Sequence, residues 1–345
     1  MSFRAFPDPV VTPLRGGPAV RWGIVAPGEI AGDFTNALHT HTGQRVVAVG
    51  SRSAERAAAF AARHGIPRSH GSYDALFADP AVDIVYVSSP NSEHARLACA
   101  AIAAGKHVLV EKPMAASAAE AGTIAGAARA AGVFAMEAMW SAFLPQTSIV
   151  RTLLADGVFG RIAVVTADFG ADFSGIPDAI VFRPELAGGV LRDIGIYPLW
   201  FSSFVLGAPQ TVDAFGSMTP TGVDEQAAVV LGFAGGAQAV LHTTMVADTP
   251  TCATINGTDA RLEVRRPFLM PSALSLYRAG DDDGVHWRDE TGLAGRDGLA
   301  WQAVAVAQHI ADGLTESPIH PLAETLSVLA TLDEARRQLL TRAHS

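Results

Sequence analysis

The sequence predicts an α/β protein in two parts: an N-terminal doubly wound parallel sheet, then an α+β domain built on a large, open, mixed or antiparallel sheet. Three observations predict it. From Val20 to Glu137 short apolar runs alternate with Ala-rich helical segments. A turn of small residues follows the first of those runs. After about Phe143 the rhythm changes to a succession of β-type runs with short turns. At roughly 100–200 residues per domain, the 345 residues make two domains, which divide as 20–143 and 144–345.

Strands of the first part are expected at Val20–Val25, Arg45–Gly50, Ile84–Ser88, His107–Val110 and Val133–Met136. They are short and mostly apolar, as strands covered on both faces are. Helices are expected at Ile30–His41, Ala54–His64, Tyr73–Phe77, His94–Ala104 and Ala118–Ala131, with Ser53 and Ser117 as N-caps and Gly65, Gly105 and Gly132 as stops. This βαβ alternation implies parallel strands. The second part opens with a helix, Gln146–Ala155, and a strand, Arg161–Phe169. A Gly/Pro-rich stretch, Gly170–Gly189, leads into Asp193–Leu206. Strands follow at Thr211–Phe215, Ala227–Phe233, Ala237–Met245, Thr251–Ile255 and Arg261–Val264. Asp281–Gly284 and Gly292–Gly298 read as loops, and helices at Trp301–Asp312 and Ala323–Arg342 end the pattern.

Composition excludes several classes. With 49% hydrophobic and 17% charged residues, the chain is not a disordered one. A net charge of −9 argues against a general partner of nucleic acid or of an anionic membrane. Two cysteines, Cys99 and Cys252, make neither a disulfide framework nor a Cys-rich zinc site, and fit a reducing cytoplasm. The first 19 residues carry four prolines, two arginines and no apolar run, so they do not read as a signal peptide. Charged residues interrupt the apolar stretches around Ala95–Ala104 and Ala115–Ala135 before the ~18 residues of a membrane span. No metal site is expected: the histidines lack H-E-x-x-H or zinc spacing, and Asp281-Asp282-Asp283-Gly284 lacks the spaced ligands of an EF-hand.

The first strand runs into Ala26-Pro27-Gly28-Glu29-Ile30-Ala31. A dinucleotide site places G-x-G-x-x-G/A directly after a strand and opening a helix. Gly28 and Ala31 hold the second and third small positions, and Ala26 stands at the first, where Gly is usual. Gly28 lets the backbone approach a pyrophosphate, and Ala31 permits close helix–strand packing. The turn therefore reads as the cofactor site of a Rossmann-type domain. At the tip of the second strand an NAD site usually places Asp or Glu. Here the chain reads Ser51-Arg52-Ser53-Ala54-Glu55-Arg56. Ser51 can donate to a 2′-phosphate, and Arg52 and Arg56 can add charge-assisted bonds. NADP is expected over NAD.

The fourth strand ends in Glu111-Lys112-Pro113. Ligands of such sheets bind outside the carboxyl ends of the strands, so Lys112 is placed where substrate meets cofactor. Of 25 basic residues only Lys106 and Lys112 are lysine. A lysine at 112 suggests a need for a compact ammonium able to give or take a proton, which arginine cannot meet.

Glu111-Lys112-Pro113, with Ser89-Pro90-Asn91-Ser92-Glu93-His94 after the third strand, resembles the Gfo/Idh/MocA family of NAD(P)-dependent oxidoreductases. Two further segments narrow the resemblance. Gly188-Gly189-Val190-Leu191-Arg192-Asp193-Ile194-Gly195-Ile196-Tyr197-Pro198 and Met136-Glu137-Ala138-Met139-Trp140-Ser141-Ala142-Phe143-Leu144-Pro145 look like signatures of the branch that holds dimeric dihydrodiol dehydrogenases and NADP-dependent xylose dehydrogenases. The resemblance runs from Arg21 to about Arg337. Three positions depart from it: Ala26, Arg192 where an apolar residue is usual, and Ala142 where arginine is common, which leaves the substrate open.

The resemblance implies that Ser89, Pro90, Asn91, His94 and Glu111 serve the cofactor along with Lys112. It also implies a homo-oligomer formed through the C-terminal sheet, and a tyrosine acting with the Glu-Lys-Pro lysine. Tyr197 fits that role chemically. A phenol has a pKa of about 10, and a neighbouring ammonium moves it towards working pH. Asp193 shares a helix face with Tyr197 if both are helical; alternatively a helix begins at Pro198 and both lie on the turn leading in. The resemblance puts Trp140 near nicotinamide or substrate, with a core role as the alternative. Arg183 either reaches the cofactor or makes a plain ion pair. The expected function is hydride transfer between NADP and a hydroxyl of a neutral sugar or trans-dihydrodiol. The alternative is a sensor of the same fold that binds NADP(H) without turnover. A zinc alcohol dehydrogenase fails for want of ligands.

Overall fold

Six parallel strands in the order β3-β2-β1-β4-β5-β6 form the sheet of the N-terminal part. The computed structural model describes residues 5–176, 178–278, 280 and 283–343. By contacts the chain divides into two units. One comprises Val11–Leu144 with Leu293–Thr325; the other comprises Met1–Val10, Pro145–Gly292 and Leu326–Ser345. The segment Leu293–Thr325, counted with the second domain in the sequence division, thus packs with the dinucleotide sheet.

In the first unit the elements run β1 (Arg21–Val25), α1 (Glu29–His41), β2 (Arg45–Gly50), α2 (Ala54–His64), β3 (Arg68–His70), α3 (Tyr73–Phe77), β4 (Ile84–Val87), α4 (His94–Ala103), β5 (His107–Val110), α5 (Ala118–Ala131) and β6 (Ala135–Glu137). Strands β1, β4 and β5 are buried almost throughout, so apolar side chains on both faces are what their positions demand. Ser53 and Ser117 do cap α2 and α5, each accepting a backbone N–H of the first turn. Gly65 and Gly132 end those helices with φ near +65°, the left-handed conformation that favours glycine. The order, with its reversal between β1 and β4, is that of dinucleotide-binding sheets and opens a crevice at the strands' carboxyl ends.

The second unit holds α6 (Pro145–Ala155), β7 (Ile162–Gly170), α7 (Val190–Asp193), α8 (Ile196–Leu206), β8 (Thr211–Met218), β9 (Asp224–Gly232), β10 (Gln238–Thr244), β11 (Ala253–Gly257), β12 (Ala260–Val264), β13 (Ala273–Arg278) and β14 (Val285–Arg288). Its eight-stranded sheet runs β14-β13-β12-β11-β7-β10-β9-β8. It is mixed: β7 and β10 pair in parallel, and every other neighbouring pair is antiparallel. Helix α8 packs on β7. Along β9 and β10 buried and exposed residues alternate, which marks a sheet with one open face. Helices α9 (Leu299–Ala311) and α10 (Leu322–Ala343) complete the elements, and Gly295–Gly298, expected as loop, forms a short 3₁₀ turn.

Strands β3, β13 and β14 carry no sequence expectation. The first is Arg-Ser-His and largely exposed, and β14 lies at a sheet edge with half its residues exposed, so neither shows an apolar pattern. Of the acidic run, Asp281 and Asp282 lie outside the described residues. Among the described residues, no helix is long and apolar enough to cross a membrane.

Candidate active site

The expected cofactor residues of the first unit all follow the carboxyl ends of parallel strands. Neighbouring strand tips are tied together. Ala26 N–H donates to the Gly50 carbonyl (3.2 Å), Ser88 Oγ to the Val25 carbonyl (2.9 Å), Glu111 N–H to the Val87 carbonyl (2.9 Å), and Ala138 N–H to the Val110 carbonyl (2.7 Å).

On the first turn Ala26 takes φ +61°, a conformation in which an L-residue is strained and glycine is not. Gly28 is different. Its φ of −129° suits any residue, and a Cβ there would meet nothing closer than the Ala26 carbonyl oxygen at 4.0 Å. Neither backbone nor packing calls for glycine at 28, whereas close approach of a pyrophosphate does. No side chain caps α1 either, which leaves the helix N-terminus to an anion. The turn Ala26-Pro27-Gly28-Glu29-Ile30 therefore fits a dinucleotide. Glu29 points to a neighbour that sequence reasoning missed: Arg296, which pairs with Glu29 (3.2 Å) and with Asp33.

Past β2, Ser51 is buried and its Oγ accepts the Ser53 N–H (3.2 Å). Arg52 and Arg56 are exposed, and among the described residues neither forms an ion pair. The acid of this stretch, Glu55, accepts the Ser53 hydroxyl (2.7 Å), which holds its carboxyl below the usual range.

The lysine turn is held at three consecutive residues. The Lys112 N–H donates to Glu111 Oε2 (3.1 Å). The Pro113 carbonyl lies 2.8 Å from His94 Nδ1. The Met114 N–H donates to Glu137 Oε1 (2.9 Å). Glu111 also accepts the hydroxyl of the fully buried Tyr86, and burial pushes the Glu111 carboxyl up. His94 is wholly buried, with Nε2 2.8 Å from the Ser89 carbonyl, and burial pushes its ring pKa down. Expected among the cofactor residues, it faces backbone carbonyls with both ring nitrogens and so joins the loops that carry Ser89 and Pro113. Trp140, in the 3₁₀ turn Trp140–Phe143, is 4% exposed.

Glu137 closes β6 at 1% exposure, and its Oε2 accepts from His320 Nε2 (2.9 Å) and Thr325 Oγ1 (3.2 Å). His320 Nδ1 lies 3.6 Å from Glu324. Burial acts to lower the His320 pKa, but the Glu137 hydrogen bond and the charges of Glu137 and Glu324 outweigh it, and the ring is pushed up to about 9. The two partners lie 183 residues apart, so no local pattern announces them.

In the second unit the Gly188-Gly189 pair has a steric cause. A Cβ on Gly188 would run into the carbonyls of Ile180, Val181 and Arg183. One on Gly189, at φ +118°, would overlap the buried Asp224 carboxylate. That carboxylate accepts the Leu191 N–H (2.7 Å) and so holds the start of α7. Asp193 ends α7 and Tyr197 lies in the first turn of α8. Neither expected arrangement is the observed one. The helix breaks at Ile194-Gly195, where the chain passes so close to Leu191 that a Cβ on Gly195 would meet Leu191 Cα at 2.9 Å, and α8 starts two residues before Pro198. Proline's missing N–H costs nothing in a first turn. Tyr197 is 5% exposed and packs 6.0 Å from the Phe169 ring. Arg183 pairs loosely with Glu185 (3.8 Å), both well exposed.

A doubly wound sheet with an uncapped glycine turn and a lysine at a strand's carboxyl end defines a dinucleotide-dependent oxidoreductase. Residues 20–139 match the model of the oxidoreductase family with an NAD-binding Rossmann fold, and residues 148–263 match the Gfo/Idh/MocA C-terminal domain. The chain belongs to the Gfo/Idh/MocA family and is an NAD(P)-binding dehydrogenase acting on CH–OH groups. It is 36% identical to the trans-1,2-dihydrobenzene-1,2-diol dehydrogenase of Xenopus tropicalis over 328 residues, 93% of this chain and 98% of that one. It is likewise 36% identical to the Mus musculus enzyme of the same name, over 93% of this chain and 97% of that one. Among solved structures, a 3-ketoreductase from Actinomadura kijaniata in complex with NADP and TDP-benzene superposes with TM-score 0.80 at 28% identity, over 93% and 98% of the two chains. Levoglucosan dehydrogenase in complex with NADH and levoglucosan shares the fold, with TM-score 0.84 at 21% identity over 94% and 98%.

Proposed function

We propose that this dehydrogenase uses NADP in preference to NAD and acts on one hydroxyl of a neutral diol or polyol, a trans-dihydrodiol before an aldose. What carries the cofactor reading is the pair Arg52 and Arg56 after β2, exposed and without an ion-pair partner among the described residues. The Ser53 hydroxyl occupies the neighbouring Glu55. The substrate reading is supported by the likeness to the dihydrodiol dehydrogenases at 36% identity.

Residues 20–143 bind the dinucleotide, through Ala26, Pro27, Gly28, Glu29, Ile30, Ser51, Arg52, Arg56, Ser89, Pro90 and Asn91, with Glu111 and His94 fixing the loops; residues 144–345, apart from the Leu293–Thr325 segment that packs with the first unit, bind the substrate. A dinucleotide held by these residues would supply the acceptor for the hydride of the carbinol carbon. Tyr197 takes the hydroxyl proton, Lys112 supplies the positive charge that favours a phenolate, and Asp193 orients this machinery. Trp140 and Arg183 serve the bound cofactor. The protein works in the cytoplasm, where its two free cysteines stay reduced. It forms a homo-oligomer through the open sheet face, where Phe215, Val230 and Val240 are exposed.

The test is turnover of purified protein on trans-1,2-dihydrobenzene-1,2-diol and a panel of aldoses with NADP⁺ or NAD⁺, followed by absorbance of the reduced cofactor. Turnover of the diol with NADP⁺ is expected. No turnover on either class, with NADPH still bound tightly, overturns the substrate reading. Equal affinities for NADPH and NADH overturn the cofactor reading.

A further inference from the structure

Lys112 sits on a turn whose backbone is gripped at residues 112, 113 and 114 by three buried ionisable side chains: Glu111, His94 and Glu137. Two of them belong to the strand and helix framework of the sheet alone. Glu111 spends its other oxygen on Tyr86 of the neighbouring strand, whereas Glu137 differs in where its second partners lie. Oε1 holds the Met114 N–H, and Oε2 is held by His320 and Thr325 from the far segment of the unit. A pair that merely docked that segment would need only the Oε2 contacts.

We propose that the buried Glu137–His320 pair is a positioning device for Lys112, acting through the Met114 N–H two residues beyond the lysine. The inference rests on the catalytic role given to Lys112 above. A carboxylate at 1% exposure needs a partner that balances its charge, and the His320 ring, itself 1% exposed, stands on it. With the partner in place the carboxylate has one orientation, and Oε1 fixes Met114. Without it the carboxylate turns or takes up a proton, and the turn loses its third anchor. Catalytic groups held by such outer contacts lose rate when the contacts go, because a displacement of about 1 Å can cost on the order of 10²-fold. His320 faces Glu137 and Glu324, and Thr325 Oγ1 lies 3.0 Å from its Nε2.

The chain's own composition supplies the readout. It has two lysines, so protein labelled with ¹³C at lysine Cε gives two signals, and Lys112→Met assigns them. Lys106 is the internal reference: its ammonium donates to the Asp79 and Val82 carbonyls, each at 2.8 Å. Glu137→Gln, and the milder Thr325→Val, are expected to move the Lys112 signal and its pH titration while Lys106 stays still. With trans-1,2-dihydrobenzene-1,2-diol and NADP⁺, kcat should fall about tenfold or more in Glu137→Gln, with the NADPH dissociation constant within about twofold of the wild type. An unchanged Lys112 signal in both folded variants overturns the proposal. If instead Lys112→Met keeps its kcat, the role given to the lysine fails, while a moved signal in Glu137→Gln still upholds the positioning.

Discussion

Replacing His320 by glutamine removes the imidazolium from a buried carboxylate while keeping a hydrogen-bond donor of similar reach. The ring's pKa is raised from its ordinary 6.5 to about 9. A raised value means that the folded protein holds the proton more tightly than the unfolded chain. The contribution to stability is therefore whole below about pH 6.5, and it is lost as pH rises towards about 9. At 1.36 kcal/mol per unit, a shift of this size corresponds to about 3 kcal/mol, similar to the ~3–5 kcal/mol cost of breaking a buried pair. For a unit of this size 1 kcal/mol moves Tm by about 2–4 °C, so the difference amounts to about 6–12 °C. Thermal unfolding of wild type and His320→Gln, recorded from pH 6 to 9.5, checks it. The gap between the two should be widest at the acid end and shrink through the alkaline range. Two melting profiles that run parallel across the whole range would refute the reasoning, since the pair would then contribute no proton-linked stability.

Tyr197→Phe should lower kcat by about 10²–10⁴ while NADPH still binds, and Lys112→Met should do comparable damage that Lys112→Arg does not repair. Steady-state kinetics on the doubly substituted enzyme should show it little worse than either single variant, because groups that act as a unit are not additive. Arg52→Ala and Arg56→Ala should each weaken NADPH binding by about tenfold or more, the worth of a charge-assisted bond at ~1.5–3 kcal/mol. NADH binding, titrated by cofactor fluorescence, should barely change. Gly189→Ala should destabilise the protein by more than about 2 kcal/mol, combining strain at φ +118° with a collision against the Asp224 carboxylate. Urea unfolding measures this, and a variant as stable as wild type would contradict the steric account.

Much of the first unit was legible in the sequence because its signals are local. A strand buried on both faces is apolar along its length, as Val85-Tyr86-Val87 is, and a serine cap writes itself one turn ahead of the helix, as Ser53 and Ser117 do. The glycine turn and the Glu-Lys-Pro run are contiguous for the same reason. Strand β14 was illegible because half of its residues are exposed and its one partner is β13. The break between Asp193 and Tyr197 was legible only as two alternatives, neither of them the observed one. It depends on how closely Gly195 approaches Leu191 and Thr243, and the latter belongs to β10.

The sequence by itself determined the class of fold, and it singled out the glycine turn, the basic pair after β2, the lysine and the tyrosine as candidates. Each is a property of a short stretch or of a residue count. Only the tertiary structure decided what holds Lys112 in place. The grip on its turn comes from His94, Glu137 and, through Glu137, a histidine 183 residues further along. A buried charge can be balanced by whatever cation the fold brings beside it. Spacing along the chain therefore carries no trace of the Glu137–His320 pair, and burial with distance reveals it.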